Sequence, residues 1–290
     1  MSQQVVKPFY RLIQGDCLKV LPTLEAESID LLVTSPPYNL QKEYEQSLSE
    51  KEYLQFINTV LEESYRILRT SGRVCWNVPN QIRIHRDGDL WSPLVKTANL
   101  MEQVGFKFFD ILLWNQNFSD SATAWGSWKS PSSPFIRHQC ESILVFYKKT
   151  WKMKGVGSDL TTLDFMRLTK SELWTMRPET DRTHPAPFPL ELPKRCIKLF
   201  SYLDSVILDP FLGSGTTMKA CQDLKRSCIG IEIEPKYCDI VRKRCFGRTF
   251  LDHEVEYEFQ VFDERVAVSG GYYTVNHSHV DVTGVERKNE

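Results

Sequence analysis

Short runs rich in Ile, Leu and Val, at Ile29 to Thr34, Val74 to Val78, Phe108 to Trp114, Ser142 to Tyr147, Val206 to Asp209 and Cys228 to Ile233, alternate with stretches of helical periodicity. A strand that is apolar at nearly every position is buried on both faces, as in a parallel sheet covered by helices on either side. Between the first two runs, Tyr53, Phe56, Ile57, Val60, Leu61, Tyr65 and Leu68 share one helical face, and Ser49 with Glu52 forms a capping box at its start. Further helices are predicted over Pro93 to Val104, Leu190 to Leu203, Thr216 to Lys225 and Pro235 to Cys245. This alternation predicts an α/β fold with a mostly parallel sheet.

The chain has 290 residues, 41% of them hydrophobic, enough for one large core. The catalytic domain is expected over residues 1–250. Residues 115–183 bring four tryptophans, prolines, serines and basic side chains, and read as an inserted recognition region. Residues 251–290 read as a β-like extension, over Val255 to Phe262 and Tyr272 to Val275, with a polar tail.

Several function classes drop out on composition. No apolar run reaches the roughly 18 residues of a membrane span, and Met1 to Tyr10 lacks the layout of a signal peptide, so a cytoplasmic protein is expected. The eight cysteines contain no Cys-x-x-Cys pair and no zinc-like cluster, so no disulfide framework or metal is expected. A net charge of −1 argues against a generally polybasic chain but leaves room for a local basic cleft.

Chemistry concentrates in two segments. In Leu208-Asp209-Pro210-Phe211-Leu212-Gly213-Ser214-Gly215-Thr216-Thr217 an apolar strand turns through two glycines into a helix, which lets backbone approach a ligand. The next strand ends Cys228-Ile229-Gly230-Ile231-Glu232, an acid where a ribose-binding carboxylate is required. A dinucleotide dehydrogenase would share this arrangement, but Met218 stands where its third glycine would be.

The second segment, Asp30-Leu31-Leu32-Val33-Thr34-Ser35-Pro36-Pro37-Tyr38, runs from a buried strand into two prolines, giving a rigid end rich in acceptors. An exocyclic amine on an aromatic base is a poor nucleophile because its lone pair is delocalised. Ser35 Oγ and the Pro36 carbonyl could hold its two N–H hydrogens and turn the lone pair toward an electrophile, with Tyr38 stacking on the ring.

Together, Ser35-Pro36-Pro37-Tyr38 and Asp209-Pro210-Phe211-x-Gly213-x-Gly215 resemble the amino-methylating DNA methyltransferases, and their order is similar to the permuted beta class, over roughly residues 10 to 247. The resemblance implies a Rossmann-like fold, S-adenosylmethionine as cofactor and duplex DNA as substrate. It assigns catalysis to Ser35, Pro36, Pro37 and Tyr38. It assigns the cofactor to Asp16 and Cys17 in a Gly-Asp turn, to His184 and Pro185 in a proline-rich segment, and to Asp209, Phe211, Gly213, Gly215, Thr216 and Glu232. Lys129, Arg137, Lys148 and Lys149 are candidate phosphate contacts. A cognate restriction endonuclease, a homodimer and a prokaryotic, nucleoid-associated location complete the expectation.

Other chemistries fit less well. A ring-carbon cytosine methylase needs a nucleophilic cysteine after proline, and no Pro-Cys dipeptide occurs. Methylases of protein glutamine or RNA begin the Pro-Pro-Tyr motif with Asn. In the family, Ser before Pro-Pro-Tyr leans to cytosine N4 and Asp to adenine N6, so cytosine is expected and adenine is the alternative. A cofactor-binding module without catalysis would have no need of both complete motifs. Trp114 and Trp125 are secondary candidates for stacking on a base, while His277 and His279 in the polar tail lack metal-ligating partners.

Overall fold

The computed structural model describes residues 7–38, 48–83, 90–116, 127, 129–134, 136, 138–178, 188–246, 255–262 and 272–274. The elements run β1 (Phe9–Gln14), α1 (Cys17–Val20), β2 (Ile29–Thr34), α2 (Glu50–Ile67), β3 (Leu68–Pro79), β4 (Ile82–Arg83), β5 (Leu90–Trp91), α3 (Pro93–Val104), β6 (Lys107–Asn115) and β7 (Cys140–Tyr147). They continue with α4 (Thr162–Thr169), β8 (Leu173–Thr175), α5 (Glu191–Phe200), β9 (Val206–Asp209), α6 (Thr216–Asp223), β10 (Ser227–Glu232), α7 (Pro235–Val241), β11 (Glu256–Phe262) and β12 (Tyr272–Thr274).

Ten strands form one sheet in the order β12-β11-β1-β10-β9-β2-β3-β7-β6-β8. Neighbours from β11 to β3 are parallel, and β7 and β12 pair antiparallel with the strands beside them. The alternation along each strand splits the core in two, as the pleat requires. In β2, Leu31 and Val33 join α5, α6 and α7, whereas Leu32 joins α1, α2 and α3, and Ile29 joins the same side because the register shifts between Ile29 and Leu31. The predicted capping box is present, with Ser49 Oγ accepting from Glu52 N and Glu52 accepting from Ser49 N.

Two boundaries expected from sequence are corrected. Residues 115–183 are not a single insertion, because Cys140–Tyr147 is the strand between β3 and β6, buried from Ser142 to Phe146, and Leu173–Thr175 pairs with β6. The break at residue 250 does not separate an extension from the domain either, since β11 lies parallel to β1 in the same sheet.

The chain order fixes where a ligand can sit. From β9 the chain passes through α6 to β10 on one side, and from β2 through α2 to β3 on the other. Since β9 and β2 are adjacent and parallel, the loops leaving their carboxyl ends part there and leave a crevice.

Candidate active site

A cavity occupies that crevice. It is lined by Gly15, Asp16 and Cys17 after β1, by Ser35 to Tyr38 after β2, by Pro210 to Ser214 and Thr216 after β9, and by Ile231 to Glu234 and Tyr237 around the end of β10. Phe56 of α2 and Phe188 complete the wall. Four loops far apart in sequence meet because their strands are parallel neighbours and all end at one edge.

Asp209 ties two of these loops together. Its Oδ1 accepts from Thr34 Oγ1 at 2.6 Å and from Phe211 N at 3.0 Å, and its Oδ2 from Thr217 Oγ1 at 2.6 Å. The residue is fully buried, and burial raises its carboxyl to about 6, against the lowering effect of these hydrogen bonds. Asp209 lies behind the cavity wall, so the cofactor contact expected of it is replaced by a structural role: it holds the Ser-Pro-Pro-Tyr strap against the glycine turn. Gly215 also stands behind the wall. Its φ of 86° is left-handed backbone at the start of α6, where a Cβ would meet Val241 Cγ2 at 3.0 Å.

Glu232 faces the cavity with both oxygens held, Oε2 accepting from Gly213 N and Oε1 from Glu234 N, each at 2.8 Å. Burial raises its carboxyl above the usual range. Every carboxylate oxygen has a second lone pair, so Glu232 can still accept from a vicinal diol. Asp16 caps α1 by accepting from Leu18 N at 2.9 Å. Cys17 beside it is buried, and burial followed by the Asp16 charge holds its thiol protonated. The Phe211 ring packs against Phe56 at 5.8 Å and Trp76 at 6.2 Å, forming an apolar wall. Acceptors for a ribose diol and an amine, an aromatic wall and a glycine at the turn fit an adenosine-bearing cofactor.

At the catalytic end, the Tyr38 hydroxyl lies 2.6 Å from Ser35 Oγ, 2.9 Å from Asn77 Nδ2 and 3.1 Å from Glu141 Oε2. Asn77 Nδ2 also donates to Glu141 Oε2 at 2.6 Å, and Gln116 Nε2 to Glu141 Oε1 at 2.8 Å. Burial, and then the Glu141 charge, push the Tyr38 phenol well above its ordinary value. Asn77, Glu141 and Gln116 were not expected from sequence. The available signal was a polar residue at the site end of an otherwise apolar strand: Asn77 sits inside the run Val74 to Val78, and Glu141 immediately precedes the run Ser142 to Tyr147.

The basic candidates separate. Lys148 is corrected: it is buried, its Nζ donating to Leu68 O at 2.7 Å and pairing with Glu27 at 3.2 Å. Lys149, whose N donates to Thr70 O, follows it at the opposite edge of the sheet from the cavity. Lys129 is exposed, in the connection between β6 and β7 that leaves the sheet at the site's own edge. Trp114 is core, its Nε1 bonded to Met176 O at 2.9 Å. Arg137, Trp125, His184, Pro185, His277 and His279 lie outside the described residues.

The fold and the cavity define a class: an α/β enzyme that holds a nucleoside-bearing cofactor at the carboxyl edge of its sheet, beside a Ser-Pro-Pro-Tyr strap. The DNA methylase family of N6 and N4 methyltransferases matches residues 29–243. The Type II methyltransferase M.MjaI of Methanocaldococcus jannaschii is 30% identical over 86% of this chain and 96% of its own. M.ScaI of Streptomyces caespitosus is 30% identical over 81% and 82%. A DNA modification methylase from Thermus thermophilus, solved in complex with S-adenosyl-L-methionine, superposes with a TM-score of 0.69 at 28% identity, covering 86% of this chain and 97% of that one. The cytosine-N4-specific PvuII DNA methyltransferase shares the fold, with a TM-score of 0.63 at 21% identity over 86% of this chain and 91% of its own.

The chain belongs to this DNA methylase family. It is an S-adenosylmethionine-dependent DNA methyltransferase of the class that modifies exocyclic amines, N4 or N6. Among the described residues, no helix is long and apolar enough to cross a membrane.

Proposed function

We propose that the chain methylates N4 of cytosine at a specific site in duplex DNA, the base being turned out of the helix to reach the cavity, and that it protects that site against a cognate Type II endonuclease. The observation that carries this reading is the strap Ser35 to Tyr38 forming one wall of the cavity whose other walls hold Glu232, Asp16 and Gly213. Amine and cofactor would meet there without water between them.

When bound, the cofactor supplies an electrophilic methyl group on a sulfonium. The protein positions the amine: Ser35 Oγ and the Pro36 carbonyl accept its two hydrogens, so that the nitrogen lone pair is freed from the ring. Base extrusion costs a few kcal/mol, offset in part by stacking on an aromatic face, for which Tyr38 is the candidate. Asp16, Cys17, Phe211, Gly213, Thr216 and Glu232 would contact the cofactor, with His184 and Pro185 near its methionine end. Lys129, in the connection at the site's edge, and Arg137, between β6 and β7 in sequence, are the remaining candidates for phosphate.

Ser35 at the head of the motif favours cytosine. The test is to incubate the protein with labelled S-adenosylmethionine and unmethylated DNA, digest to nucleosides and identify the product by mass spectrometry. N4-methylcytosine is expected. N6-methyladenine would overturn the choice of base, and the absence of any methylated nucleoside would overturn the substrate.

A further inference from the structure

The hydrogen bonds around Tyr38 can be directed. Asn77 Nδ2 only donates and an ionised Glu141 only accepts, while the Tyr38 hydroxyl has one proton to give. That proton goes to Glu141 Oε2, at 3.1 Å. The Tyr38 oxygen is left to accept from Asn77 Nδ2 at 2.9 Å and from Ser35 Oγ at 2.6 Å. The Ser35 proton therefore points at Tyr38, and Ser35 Oγ, which also accepts from Asn77 Nδ2 at 3.5 Å, keeps a lone pair for a substrate amine.

The Asn77 amide is oriented in turn. Its Nδ2 lies 2.6 Å from Glu141 Oε2, and turning the amide over would set its oxygen against a carboxylate. Its Oδ1 is buried with no partner among the described residues, a cost of about 1–3 kcal/mol that accompanies presenting Nδ2 to the cluster.

We propose that Glu141 is a positioning residue and the terminal proton acceptor for methyl transfer, acting on the substrate amine through Tyr38 and Ser35. Methylation leaves the amine nitrogen with one proton in excess. The N–H bond breaks as that proton joins Ser35 Oγ. Ser35 gives its own proton to the Tyr38 oxygen, and Tyr38 gives its proton to Glu141, which ends as a neutral carboxylic acid while both hydroxyls are regenerated. No oxidant or further reactant is needed. Among the groups bonded to Glu141 are Tyr38, which is titratable and comes from the strap after β2, and two neutral amides, Asn77 from β3 and Gln116, which follows β6. The inference rests on the reading of an exocyclic amine as substrate and holds for either base.

The test compares single-turnover methylation of DNA by the wild type, Glu141→Gln, Glu141→Asp, Tyr38→Phe and the Glu141→Gln/Tyr38→Phe double variant, alongside calorimetric affinities for S-adenosylmethionine and DNA. Glu141→Gln and Tyr38→Phe should each lose about 100-fold in rate, the scale of one proton-transfer group, with both affinities within about threefold of wild type. The double variant should lose no more than either single, because the groups act as one chain, and Glu141→Asp should recover most of the loss. Rates within about threefold of wild type for Glu141→Gln, additive losses in the double variant, or losses matched by weaker cofactor binding would each overturn the relay. A wild type that methylates no DNA amine would overturn the proposed function and the relay with it, an outcome distinct from an active wild type with an equally active Glu141→Gln.

Discussion

Asp209 brings a carboxylate where no solvent reaches it and holds it with two threonine hydroxyls and one backbone amide. Its folded value of about 6 exceeds the ordinary 3.8, so between these values the native state binds the proton that the unfolded state has lost. This contribution favours folding most below about pH 4 and declines as pH rises to about 6, by at most about 3 kcal/mol. Urea midpoints between about pH 4 and pH 7 should show that decline in the wild type and not in Asp209→Asn; the same slope in both would contradict it. The two glycines of the turn should also separate. Gly213 lines the cavity at a φ of 55°, itself left-handed, so Gly213→Val should strain the turn and also weaken S-adenosylmethionine binding by at least about tenfold. Gly215→Ala should lose about 1–2 kcal/mol of stability with cofactor affinity little changed, because φ is 86° and Val241 crowds the new methyl. Sequence motifs pointed to both sets of site residues without distinguishing a wall of the cavity from its support. Asp209 and Gly215 look like ligand contacts in the chain and prove to be braces in the fold. Asn77 and Glu141 were missed for the converse reason: nothing local says that β3 and β7 are antiparallel neighbours that pair Pro79 with Glu141.

Among the elements, doubly apolar strands and capped helices were legible because each is set by local pattern. The helix Pro93–Val104 and the strands Ile29–Thr34 and Val206–Asp209 fall where periodicity put them. β1 was missed: Phe9–Gln14 carries Arg11 and Gln14 and resembles a loop entry, yet it lies between β10 and β11. The direction of β7 was not legible either, because it depends on the connection from β6 and not on the residues of the strand. Element packing also yields a test at Arg226, which precedes β10 and is fully buried, with Asp159 as its ionic partner at 2.6 Å and carbonyls of Leu224 and Ser201 around it. Removing the carboxylate strands a buried cation, so Asp159→Asn should lower stability by about 2 kcal/mol, a figure reduced for the one-third exposure of Asp159, while Arg226→Met should cost less. Urea denaturation of the two variants checks the order.

For the molecule as a whole, one sheet carries both the cofactor walls and the catalytic strap, and its switch between β9 and β2 makes them neighbours. The class of fold was legible in the chain, but its division was not. Residues expected in an insertion and in a terminal extension are strands of the same sheet, because non-local pairing decides membership. A ligand that binds the native state alone stabilises it, by about 2.7 kcal/mol at about a hundred times its dissociation constant. S-adenosylmethionine should therefore raise the melting temperature by about 5–10 °C, and a nicotinamide dinucleotide should leave it unchanged. A shift with the dinucleotide alone would restore the dehydrogenase reading.

The strap and the cofactor walls divide the labour of one cavity, so chemistry and cofactor binding should be separable by substitution. The most direct measurement is the single-turnover rate of methyl transfer to unmethylated DNA by Tyr38→Ala, beside the affinity of the same variant for S-adenosylmethionine. The expected result is a rate at least about 100-fold below wild type with cofactor affinity within about threefold. A rate near that of the wild type, or a loss explained entirely by weaker cofactor binding, would contradict the assignment of catalysis to Ser35-Pro36-Pro37-Tyr38.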